Sequence, residues 1–588
     1  MSTTLSQSVH GVAHLFALQL VSRLGTFLLN VLLWRLASSK ISGDVAVLDL
    51  ISATVLFLSR ESIRMALLRS TRKPDFDPAS PQALLEEERR VQRLVNMSWL
   101  PLVLGSMLSA GIWIYSRYRS VWPSEDDGSR ATATWAYDLA LALFLAAAVI
   151  ELASEPVYNL ISDRLLYRAR VRVEGVGFVV RCITTLALFW LWRNTGDSGI
   201  GDRFGVLASG VAQFAFSLCL IVGFVGCYAT VPELSKPKTP TSAHSLWPLT
   251  PKAVPGPNGG TDVALLDPKL FALSLTFFRQ SFLKHLLTEG DRILLWAISN
   301  RNELGVYSFV GNYGSLVARI LFQPIEETSR AFFSKSLSSV SGSDDPNIKA
   351  SLEFLTNLIR AYIYLGLFFV VFGPSYSGAL IHIIGGQKWS STSAPSVMAA
   401  YCLYVPIMAL NGITEAFFQG VADKNLIRQQ SHWMVVFWVV FLASGYTTIE
   451  LLQLGSTGMV VSNIINLLMR IVWSWRFIVK YFTSDIFRGE DSAKDEGIKT
   501  RLQFQSRLSI VQLLPLEPKV LLGFAFSAGV TFWSKTRFDW LTLRGKLTHV
   551  SIGAACAIAM LGLIFLSERQ RIRSFRAMFS SLKRGRSE

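Results

Sequence analysis

Acidic residues are in short supply in this chain: 41 Asp and Glu stand against 57 Lys and Arg, a formal net charge of +16. Cysteine is scarcer still, at five in 588 residues. Cys182, Cys219, Cys227, Cys402 and Cys556 all lie inside apolar runs, which reads as small core or lipid-facing residues and argues against a disulfide framework. The histidines, at 10, 14, 244, 285, 382, 432 and 549, have no metal-ligand spacing, so no metal site is expected. GPNGG at 256–260 precedes neither Lys-Ser/Thr nor a strand, and without a phosphate cradle direct nucleotide drive is not expected. No cofactor signature is present, and none is expected to be needed. There is also no basic soluble domain, so the positive charge is not a nucleic-acid footprint.

What the chain has in quantity is long apolar sequence. Hydrophobic residues make up 51% of it and its mean hydropathy is +0.38, values of the membrane class. Runs long enough to cross a hydrocarbon core of about 30 Å lie near 11–34, 45–68, 97–115, 133–158, 173–193, 204–230, 269–298, 305–333, 352–372, 395–420, 432–447, 456–480, 518–535 and 548–566. The expectation is an all-α polytopic membrane protein of about fourteen transmembrane helices. The first run is too long and too interrupted by polar residues for a cleaved signal peptide and reads as a retained helix.

Charge in the short loops sets orientation. With the N-terminus in the cytosol, 69–96, 159–172, 231–268, 334–351, 421–431, 481–517 and the tail 567–588 share one side. That side holds most of the loop Lys and Arg, including Arg164, Arg168, Arg170 and Arg172, so both termini are expected in the cytosol. The sequon Asn96-Met97-Ser98 then lies at a cytosolic membrane edge, out of reach of glycosylation.

The domain plan follows: a first six-helix lobe at 1–230, a Pro/Ser/Gly-rich linker at 231–268, and a second lobe at 269–480. A linker at 481–517, a helix pair at 518–566 and a basic tail at 567–588 complete it. The two lobes repeat at an offset of roughly 260 residues. Ser154-Glu155-Pro156-Val157-Tyr158-Asn159 matches Thr414-Glu415-Ala416-Phe417-Phe418-Gln419, and Glu61-x-x-Arg64 after Leu56-Phe57 matches Glu327-x-x-Arg330 after Leu321-Phe322. An even number of helices per unit makes the repeats parallel.

Charges recur inside the spans at repeat-equivalent places. An uncompensated Arg at the bilayer centre costs about 2.5–3.5 kcal/mol on insertion scales, so such residues usually face a bundle interior or a wet cavity. Arg60 and Arg64 are one helical turn apart on one face, with Glu61 placed to pair with Arg64 at i+3. Arg319, Gln323 and Glu327 form an i, i+4, i+8 ladder, Glu326 and Arg330 a further pair, and Pro324 is expected to kink that helix. Arg23, Arg279, Lys284, Glu289 and Asp291 add charge to the first and seventh helices, Glu155 and Glu415 to the fourth and tenth, and Asn411 adds a neutral amide beside Glu415. One reading is a cytosol-open cavity between lobes whose guanidinium forks suit a phosphate. The plainer reading is that the pairs staple helices, that Arg60, Arg64 and Arg69 snorkel to headgroups, and that Asn411 satisfies a backbone break before Gly412.

The stretches SRLGTFLLNVLLWR (22–35), LFLSRESIRMALLR (56–69), RQSFLKHLLTEGDR (279–292), GNYGSLVARILFQPIEETSR (311–330) and LNGITEAFFQGVA (410–422) resemble the eukaryotic Rft family of the endoplasmic reticulum. The resemblance implies a multidrug/oligosaccharidyl-lipid/polysaccharide exporter fold, in which two six-helix lobes flank a central cavity. It also implies two C-terminal helices, as in bacterial lipid II flippases. The implied function is to move Man5GlcNAc2-diphosphate-dolichol across the membrane for N-glycosylation, by alternating access and without covalent catalysis.

Arg60, Arg64, Arg23 and Arg279, with Lys284 and Arg319, would then hold the diphosphate. Glu61, Glu155, Asp291, Gln323, Glu326, Glu327, Arg330, Asn411 and Glu415 would form the surrounding charge network. Partners would be the glycolipid and membrane lipids, and the endoplasmic-reticulum location comes from the resemblance alone, since no KDEL-type signal ends the chain. A non-transporting glycolipid-handling protein and a cation-coupled exporter of small amphiphiles remain as alternatives, although Arg23 stands where cation-coupled drug exporters of this fold carry acidic residues.

Overall fold

The computed structural model describes residues 31, 34–68, 81–121, 134–164, 166–193, 198–231, 246–247, 265–337, 345–485, 506, 508, 517–538 and 542–569. Every regular element among them is helical. The chain divides into two compact units, Met1–Trp296 and Ala297–Glu588.

The first unit contains α1 (Ser39–Leu68), α2 (Pro81–Ser98), α3 (Leu100–Val121), α4 (Thr134–Ala153), α5 (Glu155–Asp163), α6 (Tyr167–Arg193) and α7 (Ser198–Thr230), with α8 (Pro268–Ile298) belonging to it up to Trp296. One side of α1 buries Leu48, Val55 and Leu56 against Leu141, Phe144, Leu145 and Leu152 of α4. Its final turns carry Ile63 and Leu67 into a cluster with Val91, Leu94 and Val95 of α2 and Leu160 and Ile161 of α5.

The stretch 69–96, expected as a loop, therefore contains a helix. Its EEERR run hides an i, i+3, i+4 apolar row (Val91, Leu94, Val95), which is enough to seat α2 sideways on the bundle. The fourth run, expected as one span, breaks at Ser154. Pro156 sits in the first turn of α5, and both the amide and hydroxyl of Ser154 turn back to the Glu151 carbonyl, at 3.1 and 2.7 Å. Proline lacks an amide donor, and the helix restarts around it.

The linker 231–268 is held at two described points. Trp99 stacks on Trp247 at 5.6 Å and donates to the Leu246 carbonyl, while Asn96 donates to the Leu265 carbonyl at 2.8 Å. Asn96 is thereby buried.

The second unit contains α9 (Arg301–Val317), α10 (Gln323–Leu337), α11 (Pro346–Gly385), α12 (Gln387–Ser390), α13 (Ala394–Val421), α14 (Lys424–Tyr446), α15 (Gly455–Lys480), α16 (Pro518–Arg537) and α17 (Leu543–Ser567). A π-turn at Ala318–Phe322 joins α9 to α10 just ahead of Pro324, so the kink expected there takes the form of one widened turn. The ninth run, expected at 352–372, continues through Pro374 to Gly385. The last two helices pack on α11 through Val520, Phe524 and Met560 against Tyr364, Phe368 and Phe372.

Ten helices among the described residues are long and apolar enough to span a membrane. Of the fourteen expected spans, 11–34 lies almost wholly outside the described residues. The runs 269–298, 305–333 and 518–535 do form helices, but they fall below that apolarity. The first two are studded with charge, and the last with Ser, Thr and Lys.

Candidate functional site

The charges of the LFLSRESIR stretch meet partners from the α4–α5 break. Arg60 Nη1 donates to Glu151 Oε1 at 2.5 Å and lies 3.6 Å from Glu155 Oε1. Arg64 grips Glu155 with two donors, Nε to Oε2 at 2.8 Å and Nη2 to Oε1 at 2.5 Å. Two arginines at i, i+4 on α1 thus face two glutamates at i, i+4 across the break, which turns isolated charges into a neutral ladder.

The ladder has an inside and an outside. The Glu151 and Glu155 side chains are 11% and 1% exposed, against 23% and 19% for Arg60 and Arg64. The Arg64 guanidinium also lies 3.6 Å above the Tyr158 ring, and Arg170 of α6 approaches the same ring at 4.7 Å. Cation–π contact of this kind favours a guanidinium over an ammonium at the position.

The expected Glu61–Arg64 pair does not form, because the fork of Arg64 is committed to Glu155. Glu61 turns instead to Lys284 of α8, 3.5 Å away. The next residue, His285, is buried; its Nε2 lies 2.9 Å from Thr54 Oγ1 and its ring stacks on Phe57. These contacts bind α8 to α1, and α8, expected to open the second lobe, groups with the first unit.

The remaining site residues of the first unit divide three ways. Arg23 lies outside the described residues. Arg279 is exposed on α8. Asp291 accepts from the Arg292 backbone at 2.8 Å, beside an Arg292–Glu289 pair.

In the second unit, Gln323 donates to Glu327 at 3.1 Å, as its spacing implies, but Arg319 reaches back to the carbonyl and side-chain oxygen of Asn312 and leaves the expected ladder. Glu326 and Arg330 share a helix without an ion pair between them, and Arg330 is exposed. The Glu326 carboxylate lies directly against Gly412, where a Cβ would collide with it. Asn411 satisfies no backbone break, since α13 runs unbroken there; its amide donates to Glu415 at 3.3 Å. Glu415 pairs with Arg470 of α15 at 2.5 Å and accepts from Gln419.

Glu151 and Arg470 escaped the sequence reading, and Tyr158 and Arg170 entered it only as part of the repeat and as a loop charge. Glu151 had a signal: it stands four residues before Glu155, the spacing of Arg60 and Arg64. Arg470 had one as well, as a lone arginine within the LLMRIVW run.

The Rft protein family model matches residues 7–578. The chain belongs to the Rft family. It is 33% identical over 497 residues to the Man(5)GlcNAc(2)-PP-dolichol translocation protein RFT1 of Saccharomyces cerevisiae, covering 81% of this chain and 83% of that one. It is 31% identical to the protein of the same description in Mus musculus, covering 97% of each. Among solved structures, the lipid II flippase MurJ in an inward closed conformation superposes with a TM-score of 0.55 at 11% identity, over 95% of this chain and all of that one. This Rft-family chain therefore shares the fold of that flippase, an all-helical membrane architecture as its sequence led one to expect.

Proposed function

We propose that this chain translocates the dolichol-linked oligosaccharide Man5GlcNAc2-PP-dolichol from the cytosolic to the lumenal leaflet of the endoplasmic reticulum, with Arg60 and Arg64 receiving the diphosphate. The supporting observation is the pair of guanidinium groups one turn apart in a 30-residue apolar helix, partly exposed and held from behind by buried carboxylates. A diphosphate is costly to desolvate, and paired planar donors are the side-chain chemistry best suited to replace its water. The names of the yeast and mouse relatives supply the substrate.

The reading needs no covalent chemistry, so the chain is a carrier and not an enzyme. The site alternates its exposure between the leaflets while the dolichol tail stays in lipid. Both termini face the cytosol, where the basic loops contact anionic headgroups. Lys284, 3.5 Å from Glu61 of α1, would shield added negative charge.

The test is complementation. In cells depleted of their own family member, the wild-type chain restores N-glycosylation and a folded, membrane-inserted R60A/R64A variant does not. Normal glycosylation by that variant would overturn the role of the pair.

A further inference from the structure

Arginine carries five N–H donors. Arg60 spends one on Glu151, and Arg64 spends two on Glu155. None of their remaining donors is both buried and unpaired. Each guanidinium therefore has a carboxylate on one side and keeps donors not spent on it, in side chains that are 23% and 19% exposed, with Tyr158 covering one face of Arg64. An anion reaching those donors needs no displacement of either glutamate. It meets two cations whose charge is already balanced, so each step of negative charge it brings is opposed by carboxylates it never touches.

A carrier gains from that opposition. A bare arginine pair in an apolar helix would hold a diphosphate strongly and release it slowly, whereas transport requires attraction sufficient to enter and weak enough to leave. The two glutamates differ in how much geometry they carry. Glu155 takes both donors of Arg64 and lies near Arg60 as well, so it positions the pair. The Glu151 carboxylate makes a single ion pair, to Arg60, and contributes negative charge with little control over orientation.

We propose, building on the diphosphate reading above, that Glu151 sets the release rate of the site: its fixed negative charge holds diphosphate affinity down so that the bound lipid can leave. Replacing it by Gln keeps an acceptor for Arg60 and removes the charge. A role confined to stapling α1 to α4 predicts weaker binding or none of this effect, the opposite direction.

The experiment measures binding of a long-chain polyprenyl diphosphate to the purified full-length chain in nanodiscs, with lipid-flipping turnover in parallel. E151Q should bind at least about fivefold tighter than wild type and turn over more slowly, while R60A/R64A loses binding. Unchanged or weaker binding by E151Q, with R60A/R64A still defective, overturns the role of Glu151 and leaves the diphosphate site standing. Unchanged binding by R60A/R64A overturns the site itself.

Should E151Q fail to fold, E151N removes the same charge with a shorter amide, and binding should again tighten at least about fivefold. Unchanged or weaker binding by a folded E151N would overturn the proposal.

Discussion

In the first unit two arginines of α1 meet two glutamates at the α4–α5 junction. At the corresponding place in the second unit the chemistry is rearranged. The repeat aligns Arg60 with Glu326, Arg64 with Arg330, Glu151 with Asn411 and Glu155 with Glu415. Glu415 keeps its charge but takes its cation from α15, through Arg470, while Glu326 lies against Gly412 with no basic partner at ion-pair distance. The two matched sequence stretches keep a carboxylate, Glu155 and Glu415, and differ in the cation opposite it. The guanidinium pair Arg60/Arg64 belongs to the first unit, and the anion site is proposed there.

Breaking the contrast at its strongest point means removing Glu155. E155A leaves the Arg64 fork without its acceptor in a largely buried setting, and should destabilise the chain by about 3–5 kcal/mol. Thermal unfolding in detergent would read this, and the exchanged pair R64E/E155R should recover part of the loss. The matching change in the second unit, E415A, should be milder, about 1.5–3 kcal/mol. The reason is that Arg470 and Glu415 are more exposed, at 25% and 19%, than the buried Glu155. Equal losses from the two variants would erase the proposed difference between the units.

A sharper probe of the second unit is G412A. Its Cβ would displace the Glu326 carboxylate, the movable end of a flexible side chain, so the overpacking should cost about 1 kcal/mol, the low end of its range. E326A in the same chain should relieve most of it, whereas additive losses would show that the contact is not the cause. The smallest effect belongs to R170A. It removes an i, i+4 pair with Glu174 and a cation–π contact to Tyr158, together about 1 kcal/mol or less. A larger loss would make Arg170 part of the ladder's support.

The helical plan was legible because apolar runs of spanning length carry their own signal, and most runs from 204 onward match helices, the ninth falling short of its helix at both ends and the eighth breaking at a π-turn. The α2 helix was hidden because five consecutive charges mask its apolar row. The ladder was half legible: Arg60 and Arg64 stand out in an apolar run, but their partners lie 91 residues away and are brought within reach only by the break at Ser154. The repeat itself misled at one point. It implied equivalent chemistry for the eighth helix, and the substitution of Glu326 for Arg60 makes that helix a carboxylate surface packed on a glycine.

The most direct measurement places Man5GlcNAc2-PP-dolichol in sealed proteoliposomes with the purified chain and follows its leaflet with an impermeant probe. The account predicts protein-dependent movement of the lipid that R60A/R64A abolishes while remaining folded. Movement at the wild-type rate by that variant, or none by the wild-type chain under conditions where it binds the lipid, would contradict it.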